Sequence, residues 1–183
     1  MVQLLLALLL FSPPVQPLGL PWQSELTDNF RDVSGFKYLY GDLNWGRMRF
    51  LGSMRGFETE LLLEFSRKYI YEATLIMGPK GFSEESCLST YKFFEKLLAK
   101  KYGPNFTRMV RKDPVIDDLL YVRRCHAIRI GVEEISAKWR TSNFVIELIL
   151  FGDDEIFLEI NYRFISRWHN AKKEEELKLL RSL

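Results

Sequence analysis

Cys125 and His126 stand side by side, a thiol next to an imidazole, and raise the question of a nucleophile with its base. On a helix, adjacent side chains diverge by about 100°, so the two do not face each other; a catalytic pair needs His169 or another distant base. No Ser-His-Asp or Cys-His-Asn signature accompanies them, and core packing is the simpler role for Cys125. Two histidines and no Cys-x-x-Cys argue against zinc. Asp153, Asp154 and Glu155 supply three acidic residues where calcium takes about six or more oxygens, and their place between two alternating segments reads first as a hairpin turn. Gly78 to Phe82, "GPKGF", lacks the Lys-Ser/Thr and the apolar parallel strand of a phosphate loop. No catalytic, metal or cofactor-binding residue is therefore assigned.

Charge is the stronger signal. The whole chain of 183 residues carries only +2, too mild a basic balance for a nucleic-acid binder. Between Lys100 and Arg129, however, eight basic residues face three acidic ones. Arg108, Arg111, Lys112, Arg123 and Arg124 form a candidate partner-binding surface, with Phe106 and Tyr121 as aromatic contacts. The partner would be a protein or an anionic envelope component, with nucleic acid disfavoured. The simpler alternative is a solvated charged face. Lys100 and Lys101 already have a structural reason, since cations suit the last turn of a helix.

Those residues need elements to hold them. Cys87, Tyr91, Phe94, Leu98 and Tyr102 recur at helical spacing. Ser83, Glu84 and Glu85 mark the start of that helix, and Gly103-Pro104 marks its stop. Tyr121, Cys125, Ile128, Val132, Ile135 and Trp139 repeat the pattern, predicting a second helix from about Pro114 to Ile135. Gly131 weakens that reading, and the alternative is a strand from Ala127 onward. "TELLLEFS" with "YIYEATLIM", and "NFVIELILF" with "EIFLEINYRF", read as antiparallel hairpins, each with one buried face. "GFKYLYGDLNWG" is a first strand with Phe36, Tyr38 and Tyr40 on one side. The charged segment from Ser166 is a last helix. The expected fold is α+β: an antiparallel sheet built from hairpins, with two or three helices packed mainly on one face. Two hairpin-plus-helix units stand in series, without a residue-level repeat.

Composition, 47% hydrophobic and 14% aromatic, fits one packed domain, expected over residues 20–183. Residues 1–19 read as a signal peptide: Leu4 to Phe11 is an apolar run closed by Pro13 and Pro14, far short of the ~20 residues needed to span a bilayer. The mature form is expected to be exported, periplasmic or secreted, with no transmembrane span. Cys87 and Cys125 could bridge there. Each fits a helical core stripe without a bond, which favours two buried thiols.

Several marks line up in order: Trp45-Gly46, a hairpin, "KFFEKLLAKKYGP" ending at Pro104, "KWRTSNFVIELIL" from Lys138, and "IFLEINY" ending at Tyr162. This pattern resembles a broad set of small exported bacterial proteins with WG, KYGP, W-x-T with I-x-L, and I-x-Y motifs. The resemblance implies an exported α+β domain and no particular activity. The chain departs from the pattern after Trp45-Gly46, where "RMRFLGSMRG" replaces an acidic helical segment. The reading that follows is a non-enzymatic exported module that binds a protein or envelope component. The alternatives are a chaperone-like assembly factor with an apolar sheet face and, behind it, a small hydrolase.

Overall fold

The computed structural model describes residues 16–78, 82–113 and 123–182. Among these residues eight strands form one antiparallel sheet: β1 (Phe36–Asp42), β2 (Arg47–Met54), β3 (Phe57–Ser66), β4 (Tyr69–Met77), β5 (Thr107–Lys112), β6 (Glu133–Arg140), β7 (Phe144–Asp153) and β8 (Glu155–Phe164). Three α-helices accompany them: α1 (Cys87–Tyr102), α2 (Arg124–Arg129) and α3 (Ile165–Ser182). The spatial order is β1-β2-β3-β4-β8-β7-β6-β5. Each half of the sheet is thus a four-strand meander, and the halves meet where β4 pairs with β8, Leu75 opposite Ile160.

Alternation decides which face is dry. Met48 and Phe50, Leu61 and Leu63, Ala73 and Leu75, Leu158 and Ile160, Ile146 and Leu148, and Ile135 and Ala137 lie in register across six strands, all buried. Each fully buried Leu or Ile contributes about 1.5–3 kcal/mol of transfer free energy. Cys87, Tyr91, Phe94 and Leu98 of α1, with Cys125 and Ile128 of α2, close this face, as do Leu20 and Trp22 of the N-terminal segment. The Trp22 ring meets Phe144 edge to face at 5.0 Å. Its indole N–H donates to the carbonyl of Pro17, itself buried, at 2.8 Å. Residues 1–15 of the expected signal peptide lie outside the described residues.

The expected hairpins are present as β3-β4 and β7-β8, and α1 ends where Gly103 takes φ 101°, a conformation that costs glycine little. The Ser83 hydroxyl accepts from the Ser86 amide at 3.2 Å, as expected of a helix start, although the regular helix begins only at Cys87. Four expectations are corrected. The helix placed over 114–135 is limited in the described part to α2; Gly131 turns the chain with φ 76°, and β6 begins at Glu133. Residues 114–122 of that expectation lie outside the described residues. A bulge between Tyr38 and Tyr40 pairs Tyr40 with Arg49, so Tyr40 leaves the core side shared by Phe36 and Tyr38. The sheet dominates the fold, and helices occupy both of its sides. α3 engages the second face: the Trp168 indole donates to Glu72 at 3.1 Å, and the Arg163 guanidinium lies over the Trp168 ring. Finally, Cys87 and Cys125 are joined in a disulfide with Cα atoms 6.1 Å apart, so the two-thiol reading is wrong. Their stripes face each other over the sheet, which brings two core cysteines within bonding reach.

Among the described residues no helix is long and apolar enough to cross a membrane.

Candidate functional site

β5 carries three of the five candidate residues and is the last strand of the sheet. Among the described residues it pairs with β6 alone, and all six of its residues are exposed. Alternation then divides its cations. Arg108, opposite Ala137, turns toward the helix side, where Nε and Nη2 donate to both oxygens of Glu95 on α1 at 3.0 and 2.6 Å. Arg111, opposite Glu134, turns to the other face and donates to that glutamate at 2.8 Å. Lys112 stands opposite Glu133. The five residues therefore do not share one flat surface; they wrap both sides of an edge.

Arg108 and Arg124 do come together. They line a cavity of about 260 Å³ between α1 and the β5-β6 edge, with Tyr91, Lys92, Glu95, Lys96, Leu88, Val110 and Ile135. Arg124 donates through Nε to Glu133, one of two deeply buried glutamates here, the other being Glu95. Each buried carboxylate fixes a guanidinium whose remaining donors reach solvent; the Arg108 and Arg124 side chains are 55% and 46% exposed. The Tyr91 hydroxyl is buried beside Glu95 without a well-formed hydrogen bond, and burial, then the Glu95 charge, pushes its pKa up. Arg123 sits at the N-terminal boundary of α2, near Glu84.

The residues that first suggested catalysis are placed differently. His126 Nδ1 lies 3.0 Å from Glu84 Oε1, and Arg129 Nε lies 3.1 Å from the same oxygen. This holds the Glu84 carboxyl below its usual range, chiefly through the hydrogen bond with His126. Cys125 is tied to Cys87, so its sulfur is no thiolate nucleophile in this state. His169 packs its ring against Trp168. Asp153 pairs with Glu155 across a turn in which Asp154 takes φ 62°, and the described residues hold no group of three or more His, Cys, Asp or Glu placed for a metal ion.

Sequence reasoning found the cations and missed what orients them. Glu95 lies one position from Phe94 on α1 and gives no sign of burial in the sequence. The helix expected over 114–135 contains Glu133 and Glu134 and so conceals that one faces the core and the other the second sheet face. Comparison with protein-family models, with curated proteins and with solved structures finds no match to this chain.

Proposed function

We propose that the chain is an exported interaction module, periplasmic or secreted, that takes an extended acidic segment of a protein partner as an added strand beside β5. One observation carries the reading: among the described residues β5 ends the sheet, is exposed along its whole length, and presents Arg108, Arg111 and Lys112 on alternate sides. An antiparallel edge strand leaves every second residue's N–H and C=O unpaired, and an incoming strand satisfies them. Cations on both sides of the edge select acidic side chains on both sides of the guest. Export is supported by the apolar run before Pro13, by the resemblance to exported bacterial proteins, and by a disulfide, which persists in oxidising compartments.

Charged edge strands also protect proteins from pairing with their own copies, and the test must separate that role from binding. The probe is a synthetic peptide of alternating Glu and Val, followed by amide hydrogen exchange of the full chain. Strand addition slows exchange along Thr107–Lys112, and both raised salt and Arg108→Glu with Arg111→Glu abolish the effect. Exchange on β5 that the peptide leaves unchanged would sink the reading. N-terminal sequencing and fractionation from the producing cell test export separately; a cytosolic chain still starting at Met1 removes that part.

The chaperone-like alternative has less behind it. On the second sheet face Leu62, Ile76, Ile149 and Phe157 are interspersed with Glu60, Glu72, Glu147 and Glu159, leaving no continuous apolar surface for a guest.

A further inference from the structure

At the opposite half of the sheet from β5, Trp45 is 78% exposed, the most exposed large apolar side chain among the described residues. It is not loosely held. Its amide donates to Asp42 Oδ1 at 2.8 Å, and Gly46 ties the turn on both sides, its amide to the Leu43 carbonyl and its carbonyl to the Phe65 amide. The ring borders a cleft of about 530 Å³ whose walls include Asn44, Arg47, Glu64, Tyr71 and Glu174. A second cavity of about 460 Å³ continues it along α3, sharing Ser66, Arg67 and Glu174 and adding Tyr69 and Asn170. The result is one groove with Trp45 in one half and, in the other, Tyr69, whose ring carries the Arg167 guanidinium 4.1 Å from its centroid.

The polar groups between the rings are preset. Glu64 accepts from Arg47 at 2.6 Å and from the Tyr71 hydroxyl at 2.9 Å. Glu174 is paired with Arg67 at 2.5 Å and accepts from the Ser66 hydroxyl at 3.2 Å. A carboxylate has about four acceptor positions and a guanidinium five donors, so each pair, on side chains that line the groove, has capacity beyond these bonds. Arg47 and Arg67 offset Glu64 and Glu174 at the centre, while Arg167 and Lys173 leave the half along α3 with a basic excess. What fits is a chain-like ligand with apolar faces to lay on rings and many groups that donate and accept at once. We infer that this groove binds an oligosaccharide, one pyranose ring stacked on Trp45 and a later one near Tyr69, with hydroxyls bonded to Glu64, Glu174, Arg47 and Arg67.

This site is independent of the β5 reading. The full chain is titrated with chitohexaose, cellohexaose, maltohexaose, an oligogalacturonide and a proline-rich peptide, following tryptophan indole N–H resonances and fluorescence. At least one saccharide is expected to shift the Trp45 resonance saturably; a neutral sugar or the acidic one each supports the inference and tells which class is preferred. Trp45→Ala should weaken binding about tenfold or more while leaving the melting curve unchanged, since the ring is exposed; Trp45→Phe should retain most of the affinity. Glu174→Gln should weaken it as well. No shift with any sugar up to about 10 mM, a dissociation constant too weak for a built site, overturns the inference. So does unchanged affinity in Trp45→Ala, or a response to the peptide alone.

Discussion

Glu159 shows how a single side chain acquires its chemistry from strands it is not part of. It projects from β8 on the second sheet face, with Ile76 opposite on β4 and Ile149 opposite on β7. Asn161 Nδ2 donates to it at 2.5 Å, and the Thr74 hydroxyl donates to Asn161 at 2.7 Å. Burial raises its pKa above the ordinary 4.5, against the opposing Asn161 hydrogen bond and the Arg163 charge. A carboxyl raised on folding binds more protons folded than unfolded, so its contribution to stability falls as pH rises from about 4.5 through the raised value. Glu159→Gln keeps the acceptor for Asn161 and cannot ionise. It should be more stable than the parent near neutral pH and lose that advantage below about pH 4; a difference in urea midpoint that is flat with pH would refute this. Arg163, on the same face, donates to Glu72 at 2.8 Å and to Glu147 at 3.0 Å. Arg163→Met keeps the stem packed and strands two mostly buried carboxylates beside Glu159, costing about 2–4 kcal/mol in urea unfolding. A loss under about 0.5 kcal/mol would mean that water already screens the trio. The alternation in "EIFLEINYRF" makes both residues legible as members of one face. Their desolvation and pairing are not legible, because Ile76, Ile149, Glu72 and Glu147 arrive from other strands.

Elements with strong local periodicity were readable, and elements defined by a neighbour were not. α1 carries both its stripe and its stop signals in its own residues. β3 and β7 alternate over eight or more residues and β8 over its first six, while β4 is buried at most positions. β5 is six residues with Met109 and Val110 adjacent and no buried member, so nothing in it says strand until β6 pairs with it. β2 is interrupted by Gly52, and its role as the partner of both β1 and β3 follows from the meander. Gly152 belongs with these. Its place beside Asp153 and Asp154 predicts a turn, yet β7 continues through it, and its lack of a side chain lets α2 rest on the strand. A Cβ there would meet backbone atoms of Ile128 and Arg129, the Arg129 Cα at 2.6 Å, and neither is free to move alone. Gly152→Ala should therefore lift α2 from β7 and cost about 1–3 kcal/mol, read from thermal melts together with faster amide exchange across Ala127–Gly131. A melt within experimental error of the parent would show that α2 shifts without penalty.

At the scale of the whole molecule the sheet has two edge strands, β1 and β5, and one covalent tie. The β4-β8 seam joins the meanders by backbone pairing, while the disulfide fastens α1, which follows the first meander, to α2, which lies between the first two strands of the second. Each cysteine read alone is a core residue; only the meeting of two helices over one apolar face makes them partners. The bond closes a loop of 38 positions, and the chain-entropy account assigns it about 3 to 4 kcal/mol through restriction of the unfolded chain. It is not the sole anchor of α1, because Tyr91, Phe94 and Leu98 are buried against the same core. The double variant Cys87→Ala with Cys125→Ala should therefore keep the far-ultraviolet spectrum of the parent and melt roughly 10 °C lower. Alkylation after denaturation should label no cysteine in the untreated protein and both after reduction. Two labels without reductant would show that the bond does not form in the isolated protein. A double variant that melts with the parent would show that the sheet seam and the apolar face already hold α1 and α2 in place, and that the crosslink restrains an unfolded chain that was compact without it.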